Sequence, residues 1–250
     1  MRLLTILLIL LSTLPLQAEK KTGLDAVLDI GIENGEVDYR YLKSKKGHLE
    51  QALGEMASAN LLGMDQNAKM VHWINAYNLC TLKLIIDNYP LKSIKEISRS
   101  KRWVWKGFLF GTEKLSLDQI EHEKLRPMGD PRIHFAINCA SKSCPPLIPR
   151  LFKVESLEED LDQVTRRFLA DQVHGAKWKT EKSFLGWGEE KKVLYLSKIF
   201  SWFKEDFVKH SGSVLSFVKP YLSENQRAWL EGMDDDDLHF LSYDWSLNGR

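Results

Sequence analysis

The sequence lacks most of the features that assign a chain to a common functional class. Its 35 Lys and Arg residues nearly balance its 34 Asp and Glu residues, so the formal net charge is +1. A chain this close to neutrality has no global field to hold nucleic acid or an anionic membrane, and no nucleic-acid partner is predicted. The chain has no internal repeat and no Gly-rich phosphate loop, and no cofactor is predicted. Nothing in it indicates an oligomeric state.

Long apolar runs are also scarce. Residues 3–11 are almost unbroken Leu and Ile after Arg2, but this run is shorter than the roughly 20 residues that span a bilayer. It is followed by Leu16-Gln17-Ala18, a small-residue cleavage site. The pattern is typical of a secretory signal peptide over residues 1–18, and it predicts an exported, periplasmic or extracellular protein. No later stretch approaches spanning length, so no stable membrane span is predicted after signal removal.

The remaining residues are enough for one self-sufficient core. Residues 19–44 are polar and contain glycine, and we expect a loosely docked lead-in around one short helix at residues 24–32. Residues 45–250 are predicted to form a single globular domain. Cysteine is rare: Cys80 is expected to be ordinary core, and an oxidising compartment could join Cys139 to Cys144.

Helical spacing predicts helices at residues 49–62 and 67–88, the second ending before Pro90. On the second helix, Asn75 and Asn78 are expected to cross-link buried backbone. Further predicted elements are a hairpin at residues 103–117, a helix at 117–126 capped by Ser116, a strand at 133–137, and a helix capped by Ser156 that extends to about residue 171. They are followed by a strand at 193–196, helices at 199–208 and 224–231, the second capped by Ser223 with Gln226, and a strand at 238–245. These elements predict an α+β fold, with helices packed around a small, mostly antiparallel sheet.

Residues that carry chemistry are concentrated between residues 130 and 146. His134, Asn138, Cys139 and Cys144 lie within this stretch, and Glu121-His122 precedes it on a predicted helix. A cysteine beside an imidazole ionises near neutral pH, and the thiolate is the attacking species in acyl transfer. We therefore predict Cys139 or Cys144 as nucleophile, with Cys139 preferred because it directly follows the predicted strand. His122 or His134 would be the base, and Glu121 or Asn138 would orient the imidazole.

Four blocks of the sequence resemble the domain of unknown function 547 (DUF547) family. They are Trp73-Ile-Asn-Ala-Tyr-Asn78, Leu115-Ser-Leu-Asp-Gln-Ile-Glu-His122, residues 130–146 and Tyr243-Asp-Trp-Ser-Leu-Asn248, and together they extend over roughly residues 37–248. The family implies no settled activity. A looser similarity to papain-like and transglutaminase-like thiol enzymes implies a Cys at a helix start and a His on a strand. In those enzymes the Cys usually precedes the His, whereas His122 and His134 precede both candidate cysteines here, so any triad would be rearranged or absent.

Three functions remain open from the sequence. The first is a thiol-dependent hydrolase or acyltransferase acting on peptide-like bonds. The second is a non-catalytic cell-envelope module that binds a peptide-like or envelope ligand and uses its cysteines structurally. The third is a metal site formed by His134, Cys139, Cys144 and His122, although the spacing of the cysteines is wider than that of a usual zinc knuckle.

Two other features have both a functional and an ordinary interpretation. Trp103 and Trp105 could form an exposed platform for sugars or peptidoglycan, or could pack on the core. Asp234, Asp235, Asp236 and Asp237 lack the regular spacing of a calcium loop, so a solvated turn is predicted there.

Overall fold

The longest described helix, Gln66–Asn88, is buried along its central part in a computed structural model that describes residues 23–181 and 191–250. Every residue from Met70 to Leu82 of this helix is buried. The Asp65 side chain accepts a hydrogen bond from the amide of Ala68 at its N-terminus, and the helix ends at Asn88, two residues before Pro90, as predicted. The predicted signal peptide at residues 1–18 lies outside the described residues.

The described α-helices, numbered along the chain, are α1 (Gly23–Gly31), α2 (Tyr39–Ser44), α3 (Lys46–Ala57), α4 (Gln66–Asn88), α5 (Arg99–Arg102), α6 (Leu117–Gln119), α7 (Ile133–Ala136), α8 (Leu157–Ala170), α9 (Lys198–Trp202), α10 (Lys204–Ser211), α11 (Val214–Val218) and α12 (Glu224–Trp229). The described strands are β1 (Ile32–Glu33), β2 (Glu36–Val37), β3 (Phe108–Phe110), β4 (Glu113–Leu115), β5 (Ala176–Glu181), β6 (Lys191–Leu196) and β7 (Leu238–Phe240). None of the helices in the described ranges combines the length and apolarity that crossing a bilayer requires.

The strands of the described residues form three separate small sheets. β1 pairs with β2 and β3 with β4, both antiparallel, while the third sheet has the order β5-β6-β7. β5 and β6 are antiparallel, and β6 and β7 are parallel. The α+β class and the mostly antiparallel pairing are confirmed, but the expected single sheet is replaced by three that lie among the helices.

Residues 23–44 are not loosely docked, which corrects the expected lead-in. The helix predicted there is present as α1, and Leu28, Val37 and Tyr39 are buried in the same hydrophobic cluster as residues near the C-terminus. The Tyr39 hydroxyl donates a hydrogen bond of 2.6 Å to Oδ1 of Asn248. The polar composition of this segment obscured the few apolar side chains that face the core.

The predicted strand at residues 133–137 is wrong, because this stretch forms the short helix α7. Its apolar and polar residues alternate, but Ile133, His134, Phe135 and Ala136 are all buried, so the alternation does not separate a buried face from an exposed one. Phe135 packs in an aromatic cluster, with ring centroids 5.5 Å from both Phe168 and Phe200. Because the segment is packed on all sides, the alternation of apolar and polar residues does not indicate a strand here.

The helix predicted at residues 117–126 begins as expected but changes type. Ser116 and Gln119 form the predicted capping box. After α6 the chain widens into a π-helix, Ile120–Leu125, in which the amide of Arg126 donates to the carbonyl of Glu121. Such π-helical turns are frequent at functional sites.

Other boundaries differ from the predictions in detail. The Ser223 capping box of α12 is confirmed. The helix from Ser156 is present as α8, but the Ser156 hydroxyl donates to Asp160 instead of capping the helix. The helix predicted at residues 199–208 is divided at Phe203 into α9 and α10, and the last predicted strand is limited to β7.

Two buried asparagines of α4 bind the backbone at the end of α7 and in the segment that follows it. Nδ2 of Asn78 donates to the carbonyl of Ala136 at 2.8 Å, and its Oδ1 accepts from the amide of Asn138 at 2.9 Å. Asn75 makes the same pair of bonds, both 2.9 Å long, to the carbonyl and amide of Phe152. The predicted cross-linking role of both asparagines is confirmed, and residues 136–152 are thereby held at both ends by one helix.

We predict that Asn78→Ala lowers the free energy of unfolding by about 3 kcal/mol, since it leaves a buried carbonyl and a buried amide without partners. Asn88→Ala is the matched control, because Asn88 is exposed and bonds to its own helix at Leu84. The control should cost about 0.5 kcal/mol. Urea unfolding of both variants measures the difference, and equal losses would contradict the buried role of Asn78.

Candidate active site

A cavity of about 210 Å³ lies beside the loop that follows α7. Its walls combine aromatic and ionisable side chains. The aromatic members are Tyr77, Trp103, Trp202, Phe203, Tyr243 and Trp245, and the polar members are Asp118, Glu121, His122, His134, Cys139 and Cys144. An apolar cavity with a few converging polar groups is the usual form of a binding or catalytic site.

The fold brings most of the sequence-predicted site residues to this cavity. Glu121, His122, His134, Cys139 and Cys144 all line it. Asn138 is buried, and its carboxamide donates to the carbonyl of Pro145 and accepts from the amide of Ala140. The predicted role of Asn138 in orienting an imidazole is therefore corrected: its polar atoms hold the loop.

Cys139 and Cys144 are joined by a disulfide in this structure. A disulfide sulfur is not a thiolate, so neither cysteine is a nucleophile in this form. The sequence was compatible with either a disulfide or two free thiols at these positions, and the structure has the disulfide. A catalytic role for either cysteine stays a prediction that concerns the reduced protein. Cys80 is buried and unpaired, as expected of a core residue.

Hydroxyl groups surround the two sulfurs. The Tyr243 hydroxyl lies 3.3 Å from Sγ of Cys139 and 3.2 Å from Sγ of Cys144. The Ser141 hydroxyl lies 3.2 Å from Sγ of Cys139. Burial raises the pKa of Tyr243 to about 12, and the charge of Glu121 adds to the shift, so this hydroxyl keeps its proton and can donate it to sulfur.

His134 is anchored in the opposite part of the cavity. Its Nε2 lies 2.8 Å from Oδ2 of Asp206, and its ring stacks on Phe203 with centroids 3.9 Å apart. Burial lowers the pKa of His134 despite the nearby carboxylate, which favours the neutral form of the ring. Because the carboxylate of Asp206 accepts a hydrogen bond from Nε2–H, Nδ1 is left as the unprotonated nitrogen. Within the described residues Nδ1 makes no hydrogen bond, and Oε1 of Glu121 lies 4.0 Å away.

The pKa values of two carboxyl groups in this network are shifted in opposite directions. Burial raises the pKa of Glu121 to about 7, although a hydrogen bond from the Tyr77 hydroxyl opposes the shift. Burial also disfavours the charge of Asp206, but hydrogen bonds from His134 and Arg126 outweigh it and hold the pKa of Asp206 well below its usual range. A pair of groups separated in this way is the arrangement that supplies an acid and a base at one pH. Glu121 is thus the group able to exchange a proton near neutrality.

His122 lies at the rim of the cavity, with 39% of its side chain exposed. The Arg126 guanidinium donates to its Nδ1 at 2.8 Å, and Asp118 lies 3.6 Å from its Nε2. Among the described residues, no group of three or more His, Cys, Asp or Glu side chains could hold a metal ion. The donors of the predicted metal site are instead used in the disulfide and in the contacts of the two histidines.

The C-terminal segment, residues 243–250, supplies residues that sequence reasoning did not single out. The amide of Lys142 donates to the carbonyl of Ser246 at 2.8 Å, and Ser141 forms a β-bridge with Leu247. This pairing places Tyr243 on the disulfide. Tyr243 and Tyr77 belong to blocks that carried the family resemblance, which is the signal that could have identified them. No sequence signal pointed to Asp206.

We predict that Glu121→Gln changes how stability depends on pH. A carboxyl with a raised pKa contributes stability that is fully present below its unfolded pKa, about 4.5, and lost as pH rises through its folded pKa, about 7. The free energy of unfolding of the wild type, relative to E121Q, should fall by roughly 2–3 kcal/mol between pH 5 and pH 8. His134 gives the opposite slope, because its pKa is lowered, but it is present in both proteins and cancels in the difference.

Urea unfolding of both proteins at pH 5 and pH 8 gives the four values that are needed. If the difference between the two proteins is the same at both pH values, the carboxyl of Glu121 titrates in its ordinary range.

Comparison with known proteins supports one assignment. Residues 61–169 match the sequence model of a family described as a protein of unknown function, DUF547. This range includes α4, Glu121, His122, His134 and both cysteines of the disulfide, whereas Tyr243 and Asp206 lie beyond it. No curated protein and no solved structure matches the chain. The similarity to papain-like and transglutaminase-like enzymes therefore stays a prediction, and the predicted resemblance to the DUF547 family is confirmed for residues 61–169.

Proposed function

We propose that this chain is an exported thiol-dependent hydrolase or acyltransferase of peptide-like bonds, and that Cys139 becomes its nucleophile when the disulfide is reduced. One observation carries the proposal. Five of the six residues chosen from the sequence for this chemistry line a single cavity, although they come from two separate elements and a loop. The export part of the proposal is supported by the signal-peptide pattern of residues 1–18.

The reaction begins with a dithiol reductant, which converts the Cys139–Cys144 disulfide to two thiols and is itself oxidised to a disulfide. Cys139 then loses its proton to the carboxylate form of Glu121, and its sulfur attacks the carbonyl carbon of the substrate. The bond to the leaving amine breaks, the amine takes the proton, and a thioester is left on Cys139. Water cleaves the thioester to release the acid, or a second amine accepts the acyl group.

The surrounding residues suit these steps. A hydroxyl that donates to sulfur favours the thiolate, and Tyr243 contacts both sulfurs. Glu121 has a pKa of about 7, so it accepts and returns a proton at neutral pH. Asp206 fixes the ring of His134, whose unprotonated Nδ1 faces Glu121 and assists the same proton exchange. The aromatic walls would hold an apolar side chain of the substrate.

We predict opposite effects for the two single serine variants. Cys144→Ser frees the Cys139 thiol without any reductant, so this variant should form an acyl adduct on Cys139 with an activated ester such as p-nitrophenyl acetate. Cys139→Ser should form none. Mass spectrometry of the intact protein and of its peptides measures the adduct, and the wild type should react after treatment with dithiothreitol and not before.

The pH dependence gives a second measurement on the same variants. In C144S, alkylation of Cys139 by iodoacetamide should follow an apparent thiol pKa below the usual value of about 8.5. Glu121→Gln in the C144S background should slow acylation of Cys139. Equal reactivity of C139S and C144S, or an ordinary alkylation profile with no acyl adduct, would refute the thiol enzyme.

A second candidate is a non-catalytic binding module of the cell envelope, in which the disulfide is structural. The observation that favours it is the bonding of the disulfide loop to the C-terminal segment. Ser143 and Asp244 exchange two hydrogen bonds, from the Ser143 amide to the Asp244 carbonyl at 3.2 Å and from the Asp244 amide to the Ser143 hydroxyl at 2.8 Å. A loop fixed in this way provides a rigid wall for a ligand.

For the binding module we predict that reduction of the disulfide lowers the free energy of unfolding by about 2 kcal/mol, as expected for closing a short loop. The double variant C139A/C144A should show the same loss, and dithiothreitol should have no further effect on it. Urea unfolding with and without reductant measures both values. A reduced protein that keeps its stability and acquires acylation activity would contradict the module and support the enzyme.

A further inference from the structure

A surface beside the cavity combines exposed apolar side chains with positive charge. Val104, Trp105 and Leu109 are 53%, 47% and 51% exposed, respectively, although side chains of these types are usually buried. They lie within six residues of one another: Val104 and Trp105 are on the turn that leads from α5 into β3, and Leu109 is on β3 itself. We call these three residues, with the exposed cations Arg99, Lys101 and Lys106 that adjoin them, the basic-aromatic loop.

Positive charge is concentrated around these residues. Residues 92–109 contain six basic residues and one acidic residue, whereas the whole chain has a net charge of +1. Arg99, Lys101 and Lys106 are all exposed to solvent. The near-neutral total charge therefore conceals a local positive field. The net charge gave no reason to expect binding to an anionic surface, but this loop is positively charged and could be attracted to one.

The fold fixes the apolar side chains outward. The amide of Gly107 donates to the carbonyl of Trp105 at 3.0 Å, which closes a tight turn. The Trp105 ring lies against Gly107, where a Cβ atom would clash with it, and packs edge-on against Phe108 with centroids 5.7 Å apart. The ring is thus supported on one side and open to solvent on the other.

Strand alternation fixes Leu109 in the same way. Phe108 and Phe110 are buried, so Leu109 points to the opposite, exposed face of β3. Its cross-strand neighbour is Lys114, which is also exposed. An exposed apolar side chain thus lies beside a lysine here, as it does in the turn, where Trp105 is followed by Lys106.

We propose that the basic-aromatic loop docks the protein onto an anionic lipid bilayer. Tryptophan is favoured at the membrane interface because one part of its ring is apolar and its N–H remains hydrated. Val104 and Leu109 would enter the boundary between headgroups and acyl chains, while Arg99, Lys101 and Lys106 neutralise lipid phosphates. The complementary charge distinguishes this surface from an ordinary exposed apolar residue.

Docking would also orient the cavity. Trp103 lines the cavity and directly precedes Val104, so the cavity and the basic-aromatic loop share one stretch of chain. A protein held by this loop keeps the cavity beside the membrane surface. The docking proposal stands on exposure and charge, and it does not depend on the chemistry proposed for the cavity.

The test is co-sedimentation of the full chain with vesicles of phosphatidylcholine alone or mixed with phosphatidylglycerol. We expect binding to the mixed vesicles, weakening as salt is raised, and little binding to phosphatidylcholine alone. Val104→Ser and Trp105→Ser should each weaken binding several-fold. The double variant K101E/K106E should weaken binding by about tenfold or more, because each substitution replaces a positive charge with a negative one near the lipid phosphates.

Matched controls lie elsewhere on the surface. Val173→Ser removes an exposed valine and Lys177→Glu reverses an exposed lysine, both away from the loop in sequence, and both should bind like the wild type. Circular dichroism checks that Trp105→Ser remains folded, and the charge variants test the surface independently of it. Absence of binding, equal binding to both vesicle types, or equal effects of the loop and control variants would overturn the proposal and leave a protein partner as the explanation of the surface.

Discussion

The arrangement of this protein depends on two buried carboxamides on α4. Asn75 and Asn78 each donate one hydrogen bond and accept another from the backbone of residues 136–152. That segment has little regular structure, so its buried backbone groups need partners from outside a helix or sheet. The asparagines supply them from a helix that is itself buried, and the disulfide loop therefore has a fixed position from which it can form a cavity wall.

The cavity is completed by parts of the chain that are distant in sequence. The C-terminal segment covers the disulfide loop and brings Tyr243 to both sulfurs, while α10 brings Asp206 to His134. Burial acts to raise the pKa of both Glu121 and Asp206. Only Asp206 has both Arg126 and His134 as hydrogen-bond donors, and this difference in partners leaves one carboxyl ionised and the other near neutrality. The disulfide, in turn, decides whether a thiolate is available to this acid–base pair.

The charge of the chain shows how an average can conceal a local property. A net charge of +1 gives no reason to expect attraction to an anionic surface. The excess of basic residues at positions 92–109 nevertheless coincides with exposed Val104, Trp105 and Leu109, because a tight turn and the alternation of β3 direct these side chains outward. Trp103, in the same loop, faces the cavity. The loop thus has a pocket side and a solvent side, which differ in the chemistry they present.

The sequence by itself determined the features that depend on neighbouring residues: the end of α4 before Pro90, the capping boxes at Ser116 and Ser223, the α+β class, and the residue types that gather at the cavity. The predicted strand at residues 133–137 was wrong, because residues 133–136 are all buried and the alternating pattern therefore does not separate a buried face from an exposed one. Only the tertiary structure decided that Cys139 is bonded to Cys144, that Asp206 and Tyr243 belong to the site, and that Glu121 titrates near neutrality. These properties are set by burial and by distances between residues far apart in the chain, and spacing along the sequence does not encode either quantity.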